Sequence, residues 1–171
     1  MNRRSILSLS AVTALGLTLL PGSPAAQQKT LKDQIIGTWT FVSGLDVHPD
    51  GRKTDRWGPN PKGIFMFDGN GRFSQFITRS DLPKFAAKTV DQGTAAENKT
   101  VLSGFVGSFG TYTVNEADKT IITRVEGSVF PNLVGVDQKR SIVSLTGDEL
   151  KYINPATSTG MTAESTWKRV K

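Results

Sequence analysis

The chain contains no cysteine, so disulfide stapling and thiolate chemistry are both excluded and stability has to come from packing. Histidine is nearly absent as well. The single one, His48, sits in a His-Pro-Asp-Gly turn, which leaves no imidazole for a Ser-His-Asp arrangement and none of the imidazole-rich shells that hold zinc or iron. No Gly-x-Ser-x-Gly elbow presents a nucleophile. Asp46, Asp50 and Asp55 lack the regular oxygen-ligand spacing and central glycine of a calcium loop. The sequence therefore points to no catalytic residue, no metal site and no cofactor.

A strong charge imbalance is missing too. The basic residues are scattered, with only Lys168-Arg169-Val170-Lys171 clustered, and no aromatic-basic interleaving marks a nucleic-acid surface. One apolar run exists, Ile6 to Leu20, and it is too short to span a bilayer comfortably. Arg3 and Arg4 precede it and Ser23-Pro24-Ala25-Ala26 follows it, the pattern of a cleaved signal peptide over residues 1–26. The mature chain is expected to begin at Ala26 or Gln27, in the periplasm or outside the cell. An ordinary Sec signal is favoured, with the Arg3-Arg4 pair leaving a twin-arginine signal as the alternative. Cleavage removes those two arginines and lowers the formal charge from +6 to +4, and no stable membrane insertion is expected afterwards.

What the remaining residues 27–171 do contain is glycine, threonine, serine and valine in the pattern of short strands and tight turns. After a polar lead-in at Lys29 to Gln34 with room for one helical turn, Ile35 to Leu45 alternates. Ile35, Gly37, Trp39, Phe41, Ser43 and Leu45 fall on one face, and Thr38, Thr40 and Val42 on the other. Gly63 to Phe67 and Arg72 to Thr78 flank Asp68-Gly69-Asn70-Gly71, a strong hairpin signal. Ser80 to Ser103 breaks the alternation. Its second half has helical composition, and Thr94 and Glu97 are spaced as a capping box, which predicts a lid or side helix.

Strands resume at Gly107 to Val114, Thr120 to Glu126, Asp137 to Leu145, Leu150 to Asn154 and Met161 to Val170. Eight sequential strands leave two edges that must be managed, and closing the sheet removes both. The expected fold is all-β: an eight-stranded antiparallel up-and-down barrel with one short helix between strands 3 and 4. The phenylalanines at 41, 65, 67, 73, 76 and 109 are expected to be mostly core.

Gly37-Thr38-Trp39, Phe67-Asp68-Gly69-Asn70-Gly71-Arg72-Phe73-Ser74, Gly110-Thr111-Tyr112, and Glu126-Gly127-Ser128-Val129-Phe130-Pro131-Asn132 running on to Gly135, Gln138 and Arg140 resemble the bacterial and fungal lipocalin-like domain family. The resemblance covers Ile35 to Lys168. It implies a calycin-type barrel around a small hydrophobic or amphipathic ligand, with Trp39 packed beneath a basic residue near the last strand, Arg169 or Lys168. Family members often carry a His before the Val-Glu step. Thr123 and Arg124 stand there in this sequence, which takes His-dependent chemistry out of what the resemblance implies.

Around the Phe130-Pro131-Asn132 loop, Arg124 and Glu126 share one face of their strand, and Gln138 and Arg140 share one face of the next. They are read either as an outer ion pair, Glu126 with Arg140 or Arg124, or as lining for a pocket. The candidate ligand-binding residues are Glu126, Arg140, Gln138, Asn132, Tyr112 and Arg79. Three classes of function stay open: a binder of a small, partly hydrophobic molecule, an isomerase or cyclase acting in the cavity, and a structural or interaction module with a filled barrel. A cavity above about 300 Å³ lined by Glu126, Arg140 or Tyr112 separates the first two from the third.

Overall fold

A computed structural model describes residues 29–171; the expected signal segment 1–26 and the expected start of a mature chain lie outside the described residues. The elements are α1 (Leu31–Ile35), β1 (Gly37–Val47), β2 (Lys53–Asp55), β3 (Lys62–Phe67), β4 (Arg72–Thr78), α2 (Ala95–Ser103), β5 (Phe105–Asn115), β6 (Thr120–Ser128), β7 (Asp137–Leu145), β8 (Glu149–Asn154) and β9 (Thr162–Arg169). From β3 onward each strand pairs antiparallel with the next, and β9 returns to β1 in a ladder running from Trp39 opposite Arg169 to Val47 opposite Thr162. The sheet closes as the eight-stranded up-and-down barrel expected from the alternation.

The short β2 is an addition. It pairs with the far half of β1, Leu45 to Val47, on the same edge where β3 pairs with the near half, Gly37 to Thr40. A three-residue strand is too short for alternation to reveal it.

Local chemistry explains the turns and helices. In the β3–β4 turn the Asp68 carboxylate accepts from the backbone N–H of Asn70 (2.9 Å) and Arg72 (2.7 Å), and Gly71 takes the positive φ of 83°. Thr94 and Glu97 form the expected capping box at the start of α2, and Thr30 with Asp33 forms a second one on α1.

The end of the barrel holding α1 is closed and filled. Ile35, Trp39, Phe65, Ile121, Leu150 and Trp167 are wholly buried there. Phe65 packs against Phe67 (ring centroids 4.1 Å apart) and Trp167 (5.3 Å), and Phe67 meets Tyr112 edge-on. The Arg169 guanidinium lies 4.0 Å from the Trp39 ring centroid, so the basic partner is Arg169 and not Lys168. Phe76 and Phe109 depart from expectation: at 41% and 48% exposure they lie on the outer face, and only Phe41, Phe65, Phe67 and Phe73 of the six are core.

Three register shifts bend the wall: at Phe41/Ser43 in β1, at Phe109/Gly110 between β5 and β6, and at Ile142/Ser144 in β7. Each inserts one extra residue and reverses which side chains point inward beyond it. In β1 the inward face runs Trp39, Phe41, then Gly44 and Asp46, so the unbroken alternation expected through Ser43 and Leu45 does not hold.

Candidate functional site

At the end opposite α1 the barrel is polar inside. Gln75 lies on the inward face of β4 between Phe73 and Ile77, and Gln138 and Arg140 face inward from β7. Arg140 is only 2% exposed. Its Nη1 donates to the Thr123 hydroxyl (2.6 Å), and its Nη2 donates to the side-chain oxygens of Gln75 (3.2 Å) and Gln138 (3.3 Å). Gln75 in turn donates to the Tyr152 hydroxyl (3.2 Å). The guanidinium carbon stands 5.6 Å from the Phe65 ring centroid and 5.8 Å from that of Tyr152, so aromatic faces supply part of its stabilisation.

Its Nε is buried without a hydrogen-bond partner, and the ion pairs among the described residues do not include Arg140. Charge buried this way usually has an anion beside it, because neutral acceptors offset only part of the desolvation cost.

These groups surround an inner chamber of about 70 Å³. Asp46, Arg56, Val106, Leu133 and Ser158 line it and also line an outer groove of about 780 Å³, so the two spaces adjoin at these residues. The groove lies between α2, which contributes Ala95 and Leu102, and the loop after β6, which contributes Val129, Phe130 and Pro131. Its walls are mainly apolar, whereas most of the residues that line the chamber beneath carry polar side chains.

At the junction, burial pushes the Asp46 carboxyl above its ordinary value, partly offset by the positive charge of Arg56 and by His48. Arg56 is pulled below its ordinary value, again chiefly by burial, with Asp46 opposing. Arg56 also stacks on Trp57 (4.7 Å) and donates to the Ser103 carbonyl at the end of α2 (3.1 Å), tying the rim to the lid helix.

The six candidates separate cleanly. Arg140 and Gln138 face the chamber. Glu126 does not: it is the extra residue at the β5–β6 register shift, is exposed, and forms a bidentate pair with Arg72 (both contacts 2.8 Å) across the outer face. Neither Arg140 nor Arg124 is its partner; Arg124 pairs outside with Asp137 (3.2 Å). The register decides this, since Thr123 stands opposite Gln138 and shares its inward face, which turns Arg124 outward.

Tyr112 is buried in the closed end, where its hydroxyl donates to the Asp68 carbonyl (2.7 Å), and burial raises its phenol above the ordinary value. Arg79 is held by Asp81 (2.7 Å) away from both spaces, and Asn132 is exposed on the short 3-10 turn Pro131–Leu133, whose Leu133 reaches the chamber instead.

Asp46, Arg56, Gln75 and Tyr152 were missed among the candidates. Gln75 carried a readable signal, a polar residue at an inward position of an alternating strand. Asp46 was hidden by the shift in β1. The size expectation also fails in detail: the space that Arg140 lines is below about 300 Å³, and the larger groove is lined by none of Glu126, Arg140 and Tyr112.

The family model for the lipocalin-like domain matches residues 36–170. The chain belongs to the lipocalin-like domain family. Among solved structures, this lipocalin-like chain is similar to a redesigned β-barrel (14% identity, 85% of this chain and 100% of that one, TM-score 0.43). It is also similar to the bovine odorant-binding protein in complex with a selenium-containing odorant (17% identity, 88% of this chain and 78% of that one, TM-score 0.40). Likeness at that level carries no functional argument, and the barrel rests on its own strand pairing. None of the curated proteins compared with the chain matches it.

Proposed function

We propose that this lipocalin-like barrel is an exported binder of a small, partly hydrophobic molecule, whose apolar body lies in the outer groove and whose polar end enters the inner chamber. The observation that carries the reading is that a mainly apolar groove and a smaller chamber lined by Arg140, Gln138 and Gln75 adjoin at Asp46, Arg56 and Leu133. Ligand sites of this kind are mostly apolar, with a few converging polar groups that fix orientation. The filled closed end supplies the rigid floor, and α2 with the Phe130 loop supplies the walls. Glu126 takes no part in such a site, because it lies outside the barrel.

Export is part of the proposal and is supported by the signal pattern of residues 1–26. N-terminal sequencing of the protein recovered from its host tests it: a start at Ala26 or Gln27 is expected, and an intact Met1 overturns it. Native mass spectrometry of the same material tests binding. A retained small molecule, released on denaturation, is expected. A bare chain whose melting temperature does not respond to any member of a lipophile panel overturns the binder and favours the filled-barrel module.

A further inference from the structure

We infer that the molecule bound at this site carries an anionic head group of the carboxylate class, and that Arg140 is the residue that selects it. The inference rests on the binder reading above and narrows it. Arginine side chains keep their charge in proteins, so a buried one without a carboxylate partner holds an uncompensated cation. Arg140 is in that condition: its acceptors Thr123, Gln75 and Gln138 are all neutral, and Nε has no partner.

The geometry is also that of a built recognition element. Gln75 is held by Tyr152, and the Thr123 hydroxyl, which also donates to the Gln138 carbonyl (3.4 Å), fixes one edge of the guanidinium. Both Nη2 hydrogens are taken by Gln75 and Gln138, so Nε–H and one Nη1–H are left, and such charge-assisted donors favour an anionic oxygen over a neutral hydroxyl.

The space agrees with a head group and no more. At about 70 Å³ the chamber is much smaller than the groove, which suits a head group. The rest of the ligand is left to the groove, where Leu102, Val129, Phe130 and Leu133 offer apolar contact. Asp46 and Arg56 both line the two spaces, so an anion there meets opposite charges together and not a lone carboxylate.

The test pairs two probes of equal chain length, decanoate and 1-decanol, titrated calorimetrically at pH 7.5 into the wild-type protein and into Arg140→Met and Arg140→Gln. The neutral dye N-phenyl-1-naphthylamine serves as an independent reporter of the groove. Wild type is expected to prefer decanoate by about tenfold or more, the factor that one charge-assisted hydrogen bond supplies. Both variants should bring the ratio close to one.

Equal binding of the two probes by wild type overturns the anion inference and leaves the binder standing. So does binding of the dye but of neither probe. A preference that survives in a folded Arg140→Met protein removes Arg140 from the role. Failure of both probes and the dye overturns the inference and the binder reading together. The wild-type comparison needs no variant, so a misfolded substitution does not rescue the idea.

Discussion

Replacing Arg169 by alanine should be among the most damaging single changes available outside the aromatic core. The guanidinium covers Trp39 at 4.0 Å and donates to three backbone carbonyls, those of Gly147 (2.6 Å), Ile36 (2.8 Å) and Gln34. These join the chain entry, the β7–β8 turn and the last strand at the closed end. The cation–π contact contributes about 1 kcal/mol, and three hydrogen bonds at about 1 kcal/mol each bring the gross loss to roughly 4 kcal/mol. The carbonyls left behind are part-exposed and regain water, which reduces the expected net loss to about 3 kcal/mol. For a domain of this length that corresponds to a fall in Tm of roughly 6–12 °C.

Urea unfolding followed by tryptophan fluorescence measures the loss directly. Arg169→Lys keeps the charge without the planar fork and should recover only about 1 kcal/mol. Gly37 offers an internal control: its φ is +131°, and a Cβ there would sit 2.8 Å from Arg169 Nη1, so Gly37→Ala should destabilise by displacing the same guanidinium. The two changes should then combine less than additively. A loss below about 1 kcal/mol for Arg169→Ala at unchanged m-value would refute the reasoning.

Arg140→Met should change stability by less than about 1 kcal/mol despite complete burial, because an uncompensated buried cation contributes little; chemical denaturation checks this, and a loss above about 3 kcal/mol would make Arg140 a structural residue. Glu97 accepts from the backbone N–H of Ala86 and Thr94 (both 2.8 Å), which holds its carboxyl below the ordinary 4.5. Its contribution is therefore present above pH 4.5 and lost as pH falls through the depressed value, and Glu97→Ala should speed amide exchange across residues 86–104 while leaving the barrel strands protected. Burial raises Asp46 above its ordinary 3.8, so the folded state takes up a proton more readily than the unfolded chain and stability falls as pH rises from 3.8 through the raised value. Asp46→Asn should flatten that segment of the stability–pH curve, and an unchanged slope would count against a desolvated Asp46.

Most of the barrel was legible because its signals are local. Alternation located the eight staves, and β7 falls on the expected Asp137 to Leu145. The Asp68-Gly69-Asn70-Gly71 hairpin and the Thr94/Glu97 cap depend on side chains bonding to backbone within four residues, and such chemistry is visible in the sequence. The pairing of Glu126 is different. Its partner Arg72 is 54 positions away and two strands across, with Thr111 of β5 between Arg72 and the Arg124 position of β6. No spacing rule within one strand brings such residues together, so the proximity of Arg124 and Arg140 in sequence pointed to the wrong cation.

A register shift accounts for another part of the site. Without the extra residue in β1, Leu45 would face inward and Asp46 would face solvent, since one step reverses every side chain beyond it. Alternation from Thr123 and Val125 already turns Glu126 out, and the shift there brings Ser128, opposite Ser108, toward the groove. The shift in β7 brings Leu145 inward in place of Ser144, opposite the buried Leu150. Below the β1 shift, alternation fills the barrel with aromatic side chains; beyond it, the inward positions become Gly44 and Asp46 in place of Ser43 and Leu45. Gln75, Gln138 and Arg140 come inward by plain alternation, whereas Asp46, the acid that lines the chamber with Arg56, lies inside only because β1 loses register between Phe41 and Ser43.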